Sequence, residues 1–395
     1  MSLVAAENVA SAEDAPAPAS TPLSVEVHAF VSQGAILSTS NNYLAKSERG
    51  SVDFNEVGIN FTSQLSERLR VGLQLFSRHL GPVGNYDVKA DWFYLDYRWR
   101  DWLGLRAGRV KLPFGLYNDT SDIDAARVAV LLPQSVYPVS NRDFLLAATG
   151  MELYGYIDLR AAGALEYRLY GGTIFIDVPP AMPGAPFLAG LDTPYLVGGR
   201  LLWDTPVEGL RMGGSVQALR LDATLILAMT PMMPMTTVVA EVQAVLWVAS
   251  VEYAAHDLLL AAEYSRWHTD TNSSNSMLFP SSKQVNERAY AMAGYRLNQW
   301  LQTGAYYSIY YPDVSKRSIK SSLGIGEVPD YGRANMQHDT ALTLRFDINS
   351  YWLVKLEAHY MHGTAGLTTA LNSVTSLGKL TEDWAVFLLK TTAYF

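Results

Sequence analysis

"LRVGLQLFSR", residues 69–78, sets Leu69, Val71, Leu73 and Leu75 against Arg70, Gly72, Gln74 and Arg78. Successive side chains of a β-strand point to opposite faces, so this period-2 alternation specifies a strand with one apolar and one polar face. "LSVEVHAFVS" (23–32) and "MELYGYIDLR" (151–160) read the same way. Laid end to end, the pattern predicts about sixteen strands, near 23–37, 52–64, 69–80, 88–100, 103–114, 147–160, 164–176, 195–204, 210–225, 237–254, 258–269, 286–298, 301–312, 337–348, 352–364 and 382–395. The alternation slips in the ninth and tenth, where a β-bulge is expected.

The connections sort by parity. After even strands they are short: "SER" near 66, "DWL" near 101, "AAG" at 161, "TPVEG" at 205, "AHD" at 255, "NQW" at 298 and "NSY" at 349. After most odd strands they are longer and rich in Gly, Pro, Ser or Asn. A soluble sandwich has no reason to sort loops in this way. A transmembrane antiparallel β-barrel does, with short periplasmic turns and long extracellular loops. Trp99, Trp102, Trp203, Trp300 and Trp352 fall beside the short turns, and Trp92, Trp267 and Trp384 towards the long loops, with Trp247 alone in mid-strand. Two aromatic belts one strand length apart are expected from that spacing.

Composition narrows the function. The 395 residues are 49% hydrophobic and only 17% charged, with 23 Tyr, 13 Phe and 9 Trp. Cysteine is absent, which removes disulfides, thiolate catalysis and Cys-ligated metals. A net charge of −8 argues against nucleic acid as a partner. No window holds enough charge-free apolar residues for a membrane-spanning helix. Residues 1–22, rich in Ala, Pro and Ser, read as a flexible leader ahead of a barrel over 23–395.

Enzyme motifs are lacking: there is no Gly-rich phosphate loop ending in Lys-Ser/Thr, no His-Glu-x-x-His and no Gly-x-Ser-x-Gly. His359 and His362, three apart on a strand, face opposite sides and cannot chelate one metal. No metal and no cofactor are implied. A hydrolase that assembles His and Ser or Asp from separate strands is the enzymatic alternative.

"RAGRVKLPFGLYNDT" (106–120), followed by "VLLPQSVYP" (130–138), resembles the bacterial outer-membrane porins of the phosphate-selective superfamily, through Gly108, Lys111, Pro113, Phe114 and Gly115. The likeness extends over roughly 23–395. It implies a passive channel in the bacterial outer membrane, surrounded by lipid and lipopolysaccharide and built as a homotrimer. The terminal stretch "WAVFLLKTTAYF" (384–395) puts Phe395 in parity with Phe387 and Leu389, towards lipid. It resembles the C-terminal aromatic signal that such proteins present to the outer-membrane assembly machinery.

Parity assigns Arg70, Arg78, Asp96, Arg98, Arg100 and Arg106 to the lumen. Their bland role is a set of ion pairs with Glu26, Glu56 and Asp96 that stiffens the wall. Their functional role is a basic ladder along the solute path. The long connection at 115–146 is the candidate inward loop. Asp119, Asp122 and Asp124 on it are expected to oppose Arg70, Arg98 and Arg106 across a constriction, and its apolar "VAVLLP" is expected to bury against the inner wall. Two more loops, 177–190 and 228–237, are unusually apolar; they either pack on themselves over the barrel mouth or contact a protein partner or lipopolysaccharide. Inward charges nearly balance, so weak ion selectivity is expected. A substrate-specific anion porin and a plugged barrel that docks a partner are the alternatives.

Overall fold

The computed structural model describes residues 24–176, 187–227, 235–316, 334–368, 370–372 and 380–395. The leader, most of 177–190 and most of 228–237 lie outside the described residues. Sixteen strands form one closed antiparallel barrel: β1 (Val25–Ser38), β2 (Phe54–Ser66), β3 (Leu69–Leu80), β4 (Val88–Arg100), β5 (Leu103–Lys111), β6 (Ala147–Asp158), β7 (Ala164–Thr173), β8 (Phe187–Asp204), β9 (Leu210–Leu227), β10 (Thr236–Ala255), β11 (Leu258–Ser273), β12 (Ser282–Arg296), β13 (Leu301–Tyr311), β14 (Gln337–Asn349), β15 (Trp352–Gly363) and β16 (Asp383–Tyr394). β1 closes on β16, so no edge is left with unpaired amides; Ala29 and Phe395 exchange two backbone hydrogen bonds of 3.0 Å at the seam.

Alternation decides which side meets what. On β15, Leu353, Lys355, Glu357, His359 and Met361 are buried inside, while Trp352, Leu356 and Tyr360 are exposed on the outer wall. On β3 and β4, Gln74 and Asp96 turn in, and Phe93, Leu95 and Tyr97 turn out. Apolar side chains outside and charged ones inside is the arrangement of a barrel in lipid. No helix of the described residues is long and apolar enough to cross a membrane.

All seven connections after even strands are short, from 67–68 between β2 and β3 to 205–209 between β8 and β9. Between β10 and β11 only His256 and Asp257 intervene, both at positive φ (53° and 66°), as a tight two-residue hairpin turn requires.

Two sequence expectations are corrected. β9 and β10 pair without interruption from Leu210↔Tyr253 to Leu227↔Thr236, and the register shifts lie instead between β8 and β9, at Leu188/Gly190 and Asp192/Tyr195. The alternation slipped for a compositional reason. The outer face of β9 and β10 changes from Val216, Val245 and Val251 to an ion-paired group, Arg220 with Asp222 (2.8 Å) and Glu241 (2.9 Å). The upper belt also differs. The lower tryptophans Trp99, Trp102, Trp203, Trp300 and Trp352 are exposed on the outside as expected. Trp92, Trp267 and Trp384 are not in a belt: Trp92 stacks on Tyr94 on the inward face, and Trp267 and Trp384 are buried against the lumen's contents. Trp247 is the outward one, 5.6 Å from the ring of Tyr264.

Candidate functional site

Residues 112–146, between β5 and β6, fold into the barrel and fasten to its wall on nearly every side. Leu112, Phe114, Leu116, Val130, Leu131, Leu132, Val136 and Tyr137 of this loop are all buried. A water-exposed loop would not carry such a run, and here it packs against Ile174, Leu196, Leu219 and Trp267 on one side and Ile36, Phe54, Met361 and Trp384 on another. Val128 sits over a glycine pair, Gly294 and Gly304, that face each other on β12 and β13; a Cβ built on Gly304 would lie 3.2 Å from it.

Polar anchors complete the fastening. Glu357 accepts the amides of Val130 (2.7 Å) and Leu131 (3.0 Å). Lys355 donates to the carbonyls of Asp124 (2.8 Å) and Ala129 (3.1 Å), and Arg345 to those of Ala125 (2.7 Å) and Arg127 (3.0 Å). Asp124 lies 2.9 Å from Lys390 and accepts from Thr392 at 2.6 Å. On the other side, Glu263 accepts Tyr137 Oη, Tyr290 Oη (2.8 Å) and the Leu116 amide (2.9 Å), and Glu252 accepts Tyr117 Oη. Arg142, at the loop's end, holds Asp91 through two bonds of 2.8 and 2.6 Å. Each anchor satisfies a backbone or carboxylate group that burial would otherwise leave costly.

These surroundings set the loop's ionisation. Burial pushes the Asp122 carboxyl up, but Lys111 (2.7 Å) and Arg142 outweigh it and hold its pKa below the ordinary range. For Asp124, burial is outweighed by Lys355, Lys390 and Arg127, and its pKa falls well below normal. Burial and the Glu252 carboxylate push the Tyr117 phenol up, so it stays a donor.

A second feature is a chain of alternating charges along β3 to β8. Arg70 meets Asp96 (3.3 Å), Asp96 meets Arg106 (3.1 Å), Arg106 meets Glu152 (3.2 Å), and Glu152 meets Arg168. Arg168 then meets Asp119, which is also 3.5 Å from Arg200, and Arg200 meets Glu166 at 2.8 Å. Arg106 additionally lies 4.2 Å over the Tyr154 ring.

The loop acids and the wall arginines are therefore not opposed as the sequence suggested. Asp119 pairs with Arg168, Asp122 with Lys111 and Asp124 with Lys390, Lys355 and Arg127; none of the three pairs with Arg70, Arg98 or Arg106. Each loop acid found a nearer cation on the element it packs against. Glu56 pairs with Lys390 (2.6 Å), not with the arginine group. Arg98 is exposed, 3.7 Å from Asp101 at the lower turn, and Arg100 is exposed beside it. Arg78 is buried higher up, with Nη2 3.5 Å from the Val139 carbonyl. It lines a cavity of about 50 Å³ with Glu56, Asp122, Arg127, Arg142 and Lys390, between the loop and the wall of β2, β3 and β16.

The anchors Lys355, Glu357 and Lys390 escaped the sequence reading. The signal was present, because parity puts Lys355, Glu357 and His359 on the face of β15 opposite Trp352, Leu356 and Tyr360. His359 lies between Asp339 (2.9 Å) and Glu357 (3.0 Å), whereas His362 points outwards to Asp383 at 2.8 Å. Among the described residues no cluster of His, Asp and Glu could hold a metal ion.

No protein-family model matches the sequence, and no curated protein matches it. Solved structures do. OmpT of Vibrio cholerae, described as outer-membrane expressed, superposes with a TM-score of 0.56 at 11% identity, covering 95% of this chain and 99% of that one. The anion-selective porin from Comamonas acidovorans gives 0.53 at 11% identity over 94% of this chain and 100% of that one. Salmonella typhi OmpF, in complex with daunomycin, gives 0.52 at 13% identity over 94% and 97%. The chain has the outer-membrane porin fold. At such low identity the likeness concerns the porin fold alone.

Proposed function

We propose that the protein is a narrow diffusion channel of the bacterial outer membrane, passing small hydrophilic solutes and ions with weak charge preference and catalysing no reaction. One observation carries this reading: the loop at 112–146 crosses the lumen of a barrel that would otherwise enclose a wide aqueous space, and it fastens to the far wall through Asp124, Lys355, Glu357 and Lys390. Both signs of charge are set into the loop and the wall around it. Glu56 and Asp122 face Arg78, Arg127, Arg142 and Lys390 around the small cavity, and Arg70, Asp96 and Arg106 follow below. Charges of both signs around a tight passage orient water and favour polar solutes over apolar ones.

The arrangement around His359 supports a channel rather than a hydrolase. Its ring is bonded to two carboxylates, and one of them, Glu357, holds the loop amides. Homotrimeric assembly is part of the proposal, supported by the trimer form of Vibrio cholerae OmpT among the similar structures. The anion-selective neighbour from Comamonas acidovorans supports a second reading, preference for anions. The extent of the loop's fastening supports a third, a plugged barrel that docks a partner.

Planar-bilayer recording separates them. A narrow channel gives small, stable unitary steps and a reversal potential near zero in a salt gradient. An anion-specific channel gives a reversal potential close to that of the anion. A plugged barrel gives no steps.

A further inference from the structure

We infer that the extracellular vestibule holds a binding site for a small carboxylate, built around Arg288. This residue lies on the inner face of β12 and is 5% exposed, its guanidinium 3.5 Å from the ring centre of Trp267 and 4.6 Å from that of Tyr310. Its Nη1 donates to the Ser135 carbonyl at 2.8 Å, and its Nε has no hydrogen-bond partner. Every other strongly buried arginine or lysine named above has a carboxylate or several carbonyls around it. Arg288 is paired with no acid among the described residues. A buried cation without a counter-charge is costly, and its flanking aromatic faces offset only part of that cost.

Arg288 borders a cavity of about 360 Å³ between the inner loop, β12–β14 and the loop after β15. An apolar cavity of about 150 Å³ already takes benzene, so this one has room for a small organic acid. Hydroxyls and amides from Gln134, Asn141, Ser308 and Thr368 line it, beside the apolar side chains of Leu44, Pro138 and Leu367. Tyr43 also lines it, buried, with a hydroxyl that has no partner. Asp339 is the acid on this wall, and it is held by His359 (2.9 Å) and Tyr306 (3.1 Å). A planar carboxylate matches a guanidinium edge and supplies the missing charge, and hydroxyls on the same molecule match the amide and hydroxyl lining. A polyhydroxy monocarboxylate meets both demands. The site lies above the constriction and does not depend on whether the barrel conducts.

The test uses the full folded barrel in detergent, with gluconate as probe and glucose as its uncharged counterpart, read by titration calorimetry. Gluconate is expected to bind at least tenfold more tightly than glucose. Arg288→Met is expected to lose that preference while still shifting on a gel upon boiling, as a folded barrel does. Ser308→Asp, beside Arg288 on β13, supplies an internal carboxylate; it is expected to abolish gluconate binding and to raise the temperature of that gel shift. Equal binding of gluconate and glucose, no binding of either, or undiminished gluconate binding in folded Ser308→Asp overturns the proposal. Binding by a barrel that passes no current leaves this site standing and removes the channel reading.

Discussion

Asp124 of the inner loop sits 2.9 Å from the Nζ of Lys390 on β16, and both side chains are almost wholly buried. The loop leaves the wall at β5, so this contact ties it to strands across the lumen. Lys355, fully buried on β15, adds a third charge at 3.5 Å from the same carboxylate.

Removing Asp124 strands the buried Lys355, which pairs with no other carboxylate among the described residues, and leaves Lys390 with Glu56 alone. Breaking a buried pair by deleting one partner costs about 3–5 kcal/mol, much of it from the charge left behind. Asp124→Asn is expected to lower the temperature at which the folded barrel's gel mobility changes and to add noise to the open-channel current. Combining it with Lys355→Met is expected to recover part of the loss, because the stranded lysine is then gone while Lys390 keeps Glu56. An Asp124→Asn barrel as heat-resistant as the parent would show that the pair does not hold the loop.

Acid should loosen the same anchor, and the sign follows from the pKa shifts. The carboxyls of Asp122 and Asp124 titrate below their unfolded values, so their stabilisation is fully present above about pH 3.9 and is lost as pH falls through the folded values. The noise that these two carboxyls control is therefore expected to rise only below about pH 3.9. A transition near neutral pH would point to another group.

On the opposite wall, Glu152 is fully buried between Arg106 and Arg168. Glu152→Gln removes the negative link of the charge chain and is expected to move the reversal potential in a salt gradient towards anions. Arg70→Gln, at the half-exposed end of the chain, is expected to move it less and towards cations. Exposed charges are screened within about 8 Å at physiological salt, whereas charges in a narrow lumen are not. No change with either substitution would place the solute path away from this wall.

The seat of Val128 gives an independent handle on loop position. Gly294 and Gly304 leave room for it, and Gly304→Val would place a side chain where Val128 packs. The loop is expected to shift into the passage, so unitary conductance should fall while the folded gel mobility is retained. Unchanged conductance would mean that this part of the loop does not border the path.

Strand count, strand order and the inward turn of the long loop were legible because they rest on local rules: alternation, turn length and a buried apolar run. The charge partners were not. Asp96 beside Arg70 and Arg106 could be read from parity on neighbouring strands. Asp124 meeting Lys390 joins residues far apart in sequence through the path of an irregular loop, which no period encodes. The upper tryptophans show the same limit. Distance from a turn placed Trp267 in a belt, yet it shares parity with the buried Glu263 and Ser265, so it faces the lumen and packs on Phe114. Parity was the stronger guide.

The proposed channel depends on the loop at 112–146 narrowing the barrel, and unitary conductance of a loop-shortened barrel tests that most directly. Residues 123–138 would be replaced by a short Gly-Ser linker, and folding confirmed by heat-modifiable gel mobility. The shortened barrel is expected to conduct several-fold more than the parent in the same salt. Equal conductance in the two folded barrels would contradict this role of the loop and place the constriction elsewhere.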